Sequence, residues 1–446
     1  MPRPHVALTL ADAFLCGPSS LEELRERATK TLGKNWRWIP GLVEKVHARY
    51  GFGLPHARRE ELAQLINVHP GFDNAWESTG TKPRIHFYFL DPPEMAPLLL
   101  ALPEFQVPPL TTTADLARWL GLKVNELDWF ADNWRDQPRL HVGPLRHYVY
   151  RWIPKRNGEV RLLEIPKSRL CDIQRRILHE ILDPMPPHAS AHGFRRGHSC
   201  LTYARPHVAQ SMVIRTDLKN FFPSIPAARI HVLFRTLGYP ETIARKLTGL
   251  CTNAVPHDVL VKTALPQDTR ALSWQARKQF QVPHLPQGSP TSPALANLCA
   301  YRLDARLMGL AKTLNATYTR YADDLAFSGG QLSRQNATRF HILICRIALE
   351  EGFEVNTRKT KVLQSSVRQL LTGIVINQHP NISRAEFDLL KAQLHNCVRL
   401  GAKTQNRTGH SDFRAHLTGR IAYLHMLNPQ RARKLSELFG RINWEI

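Results

Sequence analysis

Ala316-Thr317-Tyr318-Thr319-Arg320 runs into Tyr321-Ala322-Asp323-Asp324 and out through Leu325-Ala326-Phe327-Ser328-Gly329, so two β-prone segments meet at two adjacent carboxylates. The pattern predicts a hairpin with Asp323 and Asp324 at its tip. Two negative charges so close repel each other unless cations sit with them. Carboxylate oxygens completed by substrate phosphates are what Mg²⁺ prefers, so the stretch asks for a further carboxylate and for a phosphate-rich partner.

Composition supplies the partner. Lys and Arg number 60 against 37 Asp and Glu, a net charge of +23 with a pI near 10.1, which favours a polyanion. The sequence shows no apolar run of about 18 residues, no signal-peptide core and no lipidation motif, which turns the reading from a membrane surface to nucleic acid. Seven cysteines stand singly, the usage of reduced thiols in a cytoplasm. His188 and His192 have metal-ligand spacing but no Cys pair to complete a zinc site.

The further carboxylate is Asp217. The apolar run Met212-Val213-Ile214 leads through Arg215-Thr216 to Asp217, followed by Phe221-Phe222-Pro223, as when a buried strand delivers one carboxylate to a cleft. Three other segments suit phosphate chemistry. Tyr148–Ile153 and Glu159–Ile165 read as strands joined at Asn157-Gly158, with Lys155 and Arg161 placed either to fold over a triphosphate or simply to face solvent. Leu285-Pro286-Gln287-Gly288-Ser289-Pro290 is a rigid loop opening into a helix predicted over 294–310. Asn356-Thr357-Arg358-Lys359-Thr360-Lys361 sets cations after a strand, where one can meet a leaving pyrophosphate.

The ordered set Asp217, Gln287-Gly288, Tyr321-Ala322-Asp323-Asp324 and Asn356-x-x-Lys359 resembles a reverse transcriptase. Within that family the chain is similar to the bacterial retron type. Asn253-Ala254-Val255-Pro256-His257 matches the retron Asn-Ala-x-x-His motif, and Leu371-Thr372-Gly373 resembles the retron Val-Thr-Gly motif, with Leu in place of Val. The likeness covers about residues 110–446.

The resemblance implies that Asp217 and Asp323 hold two Mg²⁺ ions, with Mn²⁺ able to substitute, about 3.5–4 Å apart. Asp324 supports them and Leu218 belongs to the same metal set. Lys359 matches the lysine that protonates pyrophosphate, with Lys361 and Arg358 as rivals. Lys155 and Arg161 look like the cations on the triphosphate, and Gln287 and Gly288 like the loop lining nucleotide and template. Phe222 matches the ring that blocks a ribose 2′-OH, unless it serves only the core. Asn253 and His257 touch the cognate RNA or are buried polar residues satisfying one another.

The fold expected is α+β: a right-hand polymerase with fingers, an antiparallel-sheet palm and an α-helical thumb, plus an N-terminal helical extension. Residues 1–110 form the extension, with helical spacing broken at Pro40-Gly41 and a Pro-rich joint near 100–112. Residues 111–210 form the fingers, starting with a helical pair at 111–135; 211–375 form the palm and 376–446 the thumb. The thumb carries eleven cations against five acids, and Arg399, Lys403, Arg414, Arg420 and Arg431 are its candidates for RNA and DNA contact. The expected activity is RNA-directed DNA synthesis from dNTPs on a cognate non-coding RNA, primed from an RNA 2′-OH to give a branched RNA–DNA product. The family further implies antiphage defence beside an effector protein, and no membrane partner. A group II intron-like enzyme would carry a larger C-terminal region, another bacterial defence transcriptase would lack the Asn253 segment, and a non-catalytic RNA-binding protein on the same scaffold would have lost Asp217 or Asp323.

Overall fold

The computed structural model describes residues 2–444 except 17–18, 52–53, 55–56, 58, 90–93, 97–105, 134, 156–157, 262–265 and 267–271. The chain divides into two compact units, Met1–Glu94 and Met95–Ile446. That division falls ahead of the joint expected near 100–112, whose Leu100 to Pro103 stretch lies outside the described residues.

The first unit packs α1 (Arg3–Leu15), α2 (Leu21–Leu32), α3 (Ile39–Tyr50), α4 (Arg59–Asn67) and α5 (Pro70–Glu77) around Leu10, Phe14, Leu24, Leu42, Ile66 and Phe72. The break expected at Pro40-Gly41 occurs at Gly33, which closes α2 in the left-handed region at φ +66°. Pro40 instead sits in the first turn of α3, where a missing N–H leaves nothing unpaired. Residues 1–94 carry 12 Lys and Arg against 11 Asp and Glu, so nearly all of the +23 belongs to the second unit.

The second unit begins with the expected helical pair, α6 (Thr113–Leu120) and α7 (Val124–Ala131). Thr112 and Asp115 form a capping box, and Gly121 ends α6 at φ +68°. The hairpin of β1 (Tyr148–Pro154) and β2 (Val160–Pro166) follows in antiparallel register, Ile153 opposite Arg161. Asn157 of its expected turn lies outside the described residues. Next come α8 (Ser168–Ile177), which widens into a π turn over Leu178–Leu182, and the short α9 (Cys200–Ala204).

The palm sheet contains β3 (Met212–Asp217), β4 (Thr317–Tyr321), β5 (Asp324–Ser328) and β6 (Lys361–Gln364) in the order β4-β5-β3-β6, with every described pairing antiparallel. Between β3 and β4 lie α10 (Ala227–Thr236), α11 (Glu241–Cys251), α12 (His257–Leu260), α13 (Trp274–Gln281), α14 (Ser292–Cys299) and α15 (Tyr301–Lys312). The single helix expected over 294–310 is thus two, joined at Ala300. Helix α16 (Arg334–Glu350) then packs Phe340 and Ile344 into the same core as Ile214, Leu325 and Phe327.

Strands β7 (Leu370–Leu371) and β8 (Ile374–Val375) form a tight hairpin around Thr372 and Gly373, at φ +46° and +87°. A two-residue loop with both angles positive suits the strand twist, and it explains the glycine there. Leu371 is buried in the thumb core with Ile374, Leu390 and Leu417. The thumb is α17 (Arg384–Leu400), α18 (Ala402–Gln405), α19 (Phe413–Leu427) and α20 (Pro429–Gly440), helical as expected. Among the described residues no disulfide joins Cys171, Cys200, Cys251, Cys299, Cys345 and Cys397. Among the described residues no helix is long and apolar enough to cross a membrane.

Candidate active site

Strand β3 is central and almost wholly buried, so its apolar residues fix it while Asp217 emerges at its end. Register sets Asp217 directly opposite Asp324, and the Leu218 N–H donates to the Asp323 carbonyl at 2.9 Å. The two-residue loop Ala322-Asp323 closes the β4–β5 hairpin with Ala322 at φ +55°. A first loop position in this region favours glycine, and alanine there costs about 1–2 kcal/mol. The surroundings hold it: Gly193 lies so close that a Cβ would stand 2.6 Å from the Ala322 nitrogen, and Arg320 Nη1 donates to the Ala322 carbonyl at 3.1 Å.

The three carboxylates differ in company. Lys359 Nζ donates to Asp217 Oδ2 at 2.8 Å. Arg215, two residues before Asp217 on the same strand face, grips Asp324 through Nε and Nη2 at 2.8–3.0 Å. Among the described residues no cation is hydrogen-bonded to the Asp323 side chain, although the charge of Lys359 pulls on it. Burial first, then Asp217 and Asp324, push its carboxyl up to about 6. Burial also raises Asp324, against the pull of Arg215.

These residues fit a divalent ion. Asp217 already accepts a hydrogen bond from the Lys359 ammonium, and it stands across from Asp324 with Asp323 next in the chain, a set of hard oxygen donors of the kind a divalent ion takes. Among the described residues no three His, Cys, Asp or Glu side chains enclose a metal by themselves, so an ion held here completes its shell with substrate oxygens and water. Leu218 is buried, and only its main chain is close to the Asp323 backbone.

The other predicted residues are placed as follows. Lys155 pairs with Glu159 across the hairpin turn at 3.4 Å, and Arg161 is exposed on the outer face of β2. Phe222 is half-buried, its ring 6.1 Å from that of Phe194. Phe194 is 51% exposed beside Tyr321, at 6.4 Å between ring centroids. Gln287 is half-buried and Gly288 exposed, the latter at φ +128° against the carbonyl of Glu164.

Asn253 is a correction to the expected RNA contact. It is buried, and its amide nitrogen donates to Glu164 Oε2 at 2.7 Å and to the Tyr150 hydroxyl at 3.1 Å. His257 does not satisfy it; that ring is exposed at the start of α12. Of the thumb cations, Arg399, Lys403, Arg414 and Arg431 are exposed, with Arg414 over Trp444 and Arg431 over Phe387. Arg420 is half-buried and donates to Gln393 at 2.9 Å.

Beneath the hairpin, His207 ties its two strands together, Nδ1 2.6 Å from Ser328 Oγ and Nε2 2.7 Å from Thr319 Oγ1. Burial holds this ring far down, to about 3. A depressed imidazole stabilises the fold above the unfolded value near 6.5, and that contribution is lost as pH falls toward 3. His147 and His192, lowered to about 4 chiefly by burial, act in the same direction. For His207 alone the loss is about 1.4 kcal/mol per pH unit, or about 2 kcal/mol between pH 6.5 and 5. Urea midpoints measured at pH 7 and 5 should show that fall, and a smaller one in His207→Gln; equal falls in both proteins would refute the assignment.

Residues 153–375 match the family "Reverse transcriptase (RNA-dependent DNA polymerase)". The chain is 40% identical over 339 residues to the retron Mx65 reverse transcriptase of Myxococcus xanthus, covering 75% of this chain and 73% of that protein. It is 36% identical over 339 residues to the retron Mx162 enzyme of the same organism, covering 73% of this chain and 65% of that protein. The retron Ec86 reverse transcriptase of Escherichia coli is 28% identical over 306 residues, which is 68% of this chain and 83% of that one.

Proposed function

The chain belongs to the retron-type reverse transcriptases, and on that premise we propose that this RNA-directed DNA polymerase copies part of one structured non-coding RNA from a primer 2′-OH on that RNA. The product is a branched RNA–DNA hybrid. The observation that carries the site is the meeting of Asp217 with Asp323 at the end of the palm sheet, in the unit that holds nearly all of the positive charge.

Reverse transcriptases work with divalent metal ions. Here the proposal is that Asp217 and Asp323, with the backbone at Leu218 beside them, would hold two Mg²⁺, which would supply activation of the primer hydroxyl and charge neutralisation at the leaving pyrophosphate. The protein's own groups do the rest. Arg215 keeps Asp324 in place beside the ligands. Lys359, which donates to Asp217, gives its proton to the leaving pyrophosphate in this reading. Arg161 and Lys155 attract the triphosphate, Gln287 and Gly288 line the nucleotide, and the Phe222 ring stands against a ribose 2′-OH. Arg399, Lys403, Arg414, Arg420 and Arg431 carry the RNA and the growing hybrid through their phosphates, and exposed His257 adds an RNA contact. The work is done in the bacterial cytoplasm, in antiphage defence together with an effector protein.

The priming step has a direct test. RNA and DNA purified with the protein should stay joined after heat denaturation and separate only on treatment with a debranching enzyme. Linear, freely primed cDNA would refute the branched product.

A further inference from the structure

Glu164 of β2 is fully buried, and both of its carboxylate oxygens are taken. Oε1 lies 3.0 Å from His284 Nε2, and Oε2 accepts from Asn253 Nδ2 at 2.7 Å. Asn253 and His284 also bind each other through the backbone, each N–H donating to the other's carbonyl at 3.0 Å. The main chain of Glu164 serves the same region. Its N–H donates to the Gln287 carbonyl at 2.8 Å, and a Cβ on Gly288 would stand 2.9 Å from its own carbonyl. One residue therefore holds the 284–288 loop from both its side chain and its backbone.

A second anchor lies one residue further along. Ser289 Oγ donates to Gln174 Oε1 at 2.8 Å, while buried Gln174 Nε2 donates to the Tyr148 hydroxyl at 3.0 Å. Tyr148 and Tyr150 both belong to β1, and Tyr150 stands opposite Glu164 in the hairpin register. The loop is thus fastened to the same hairpin that carries Lys155 and Arg161. A buried ion pair gives little net stability against an apolar replacement of equal volume, so what this pair supplies is geometry. Charge-assisted hydrogen bonds to both oxygens fix the separation between strand and loop.

We propose that Glu164, acting through Asn253 and His284, is a positioning residue for the incoming dNTP, locking the Gln287-Gly288 loop and the β1–β2 hairpin into one clamp. This deepens the reading in which that loop lines the nucleotide, and rests on it. Neither Asn253 nor Glu164 touches substrate. They act on affinity for dNTP by holding two contacting elements in register, and little on the carboxylates at the end of β3.

The test uses the full chain with poly(rA) primed by oligo(dT) and dTTP, comparing Glu164→Gln, Asn253→Ala and the mild variant Tyr150→Phe. Glu164→Gln keeps the volume but sets an amide donor against one of two donors that now share a carboxylate. We expect KM for dTTP to rise about tenfold in Glu164→Gln and Asn253→Ala, with kcat within about threefold and template–primer affinity unchanged. Tyr150→Phe should shift KM in the same direction by less. Because the residues act as one unit, Glu164→Gln combined with His284→Gln should raise KM no further than either change alone. Hydrogen exchange should quicken together in 160–166 and 284–291 while β3 stays protected.

Unchanged exchange in both segments overturns the clamp. Faster exchange with an unchanged KM overturns the nucleotide role by removing the reading beneath it. A fall in kcat with KM fixed, or loss of protection in β3 as well, assigns the network a merely structural part and overturns the proposal too.

Discussion

Asp323→Asn together with Asp324→Asn is expected to lower dNTP incorporation by at least about 10³-fold while RNA affinity stays within about twofold, because on the proposed mechanism it removes a metal ligand worth several kcal/mol of transition-state stabilisation together with the carboxylate that supports it, and leaves the thumb cations untouched. The single changes should not be equal. Asp217→Asn and Asp323→Asn each remove a carboxylate proposed to hold metal, and each should approach the double variant. Asp324 is already occupied by the Arg215 guanidinium, so Asp324→Asn should cost less, about tenfold, by loosening Arg215 rather than by losing a ligand. Primer extension with a fixed template–primer, beside a filter-binding curve for RNA, separates the two quantities. Incorporation that survives the double change would remove the basis for the site, and equal losses at all three positions would refute the supporting place given to Asp324.

Why the catalytic carboxylates were legible in the sequence, and the groups that hold them were not, follows from how each is encoded. Asp217 closes a short apolar strand, and Asp323 and Asp324 sit at the turn between two β-prone segments, so the strand ends and the carboxylates on them can be read in a window of a few residues. The thumb helices are legible for the same reason, each with a cap and a buried stripe of its own. Arg215 was within reach, since it lies two residues from Asp217 and must share its face. Glu164 and His284 were not, because their meeting is set by the path of the chain between residues 164 and 284. Asn253 shows the limit of motif reading: a polar residue in a matched motif was expected at the RNA, yet the fold gives its amide to a buried carboxylate. Gly33 against Pro40 shows another, for both residues punctuate helices, but only the one needing a left-handed backbone ends one here.

Asp304→Asn is expected to destabilise the second unit by about 3–5 kcal/mol, the usual consequence of removing one partner from a buried ion pair. Arg320 and Asp304 are both fully buried, joined by Nε to Oδ1 at 2.8 Å and by Nη2 to Oδ2 at 2.6 Å, and Tyr318 Oη donates to Oδ1 as well. With asparagine in place the guanidinium keeps its charge and loses its counter-charge, far from water. The same arginine reaches the catalytic turn, donating to the Ala322 carbonyl and to Asn297 Oδ1, whose amide in turn holds the Gly193 carbonyl against that turn. Stability and catalysis can therefore be pulled apart. Replacing the whole group with Arg320→Met, Asp304→Leu and Tyr318→Phe removes charge and orphaned hydroxyl together, and should return stability to within about 1 kcal/mol of the parent. DNA synthesis should still fall about tenfold or more, since Ala322 then keeps its strained backbone without the donor that fixes it. Chemical denaturation of the full chain, paired with primer extension on the same preparations, reads both. A triple variant that recovers stability and full activity would show that Arg320 holds the core alone, and that the turn carrying Asp323 keeps its shape without it.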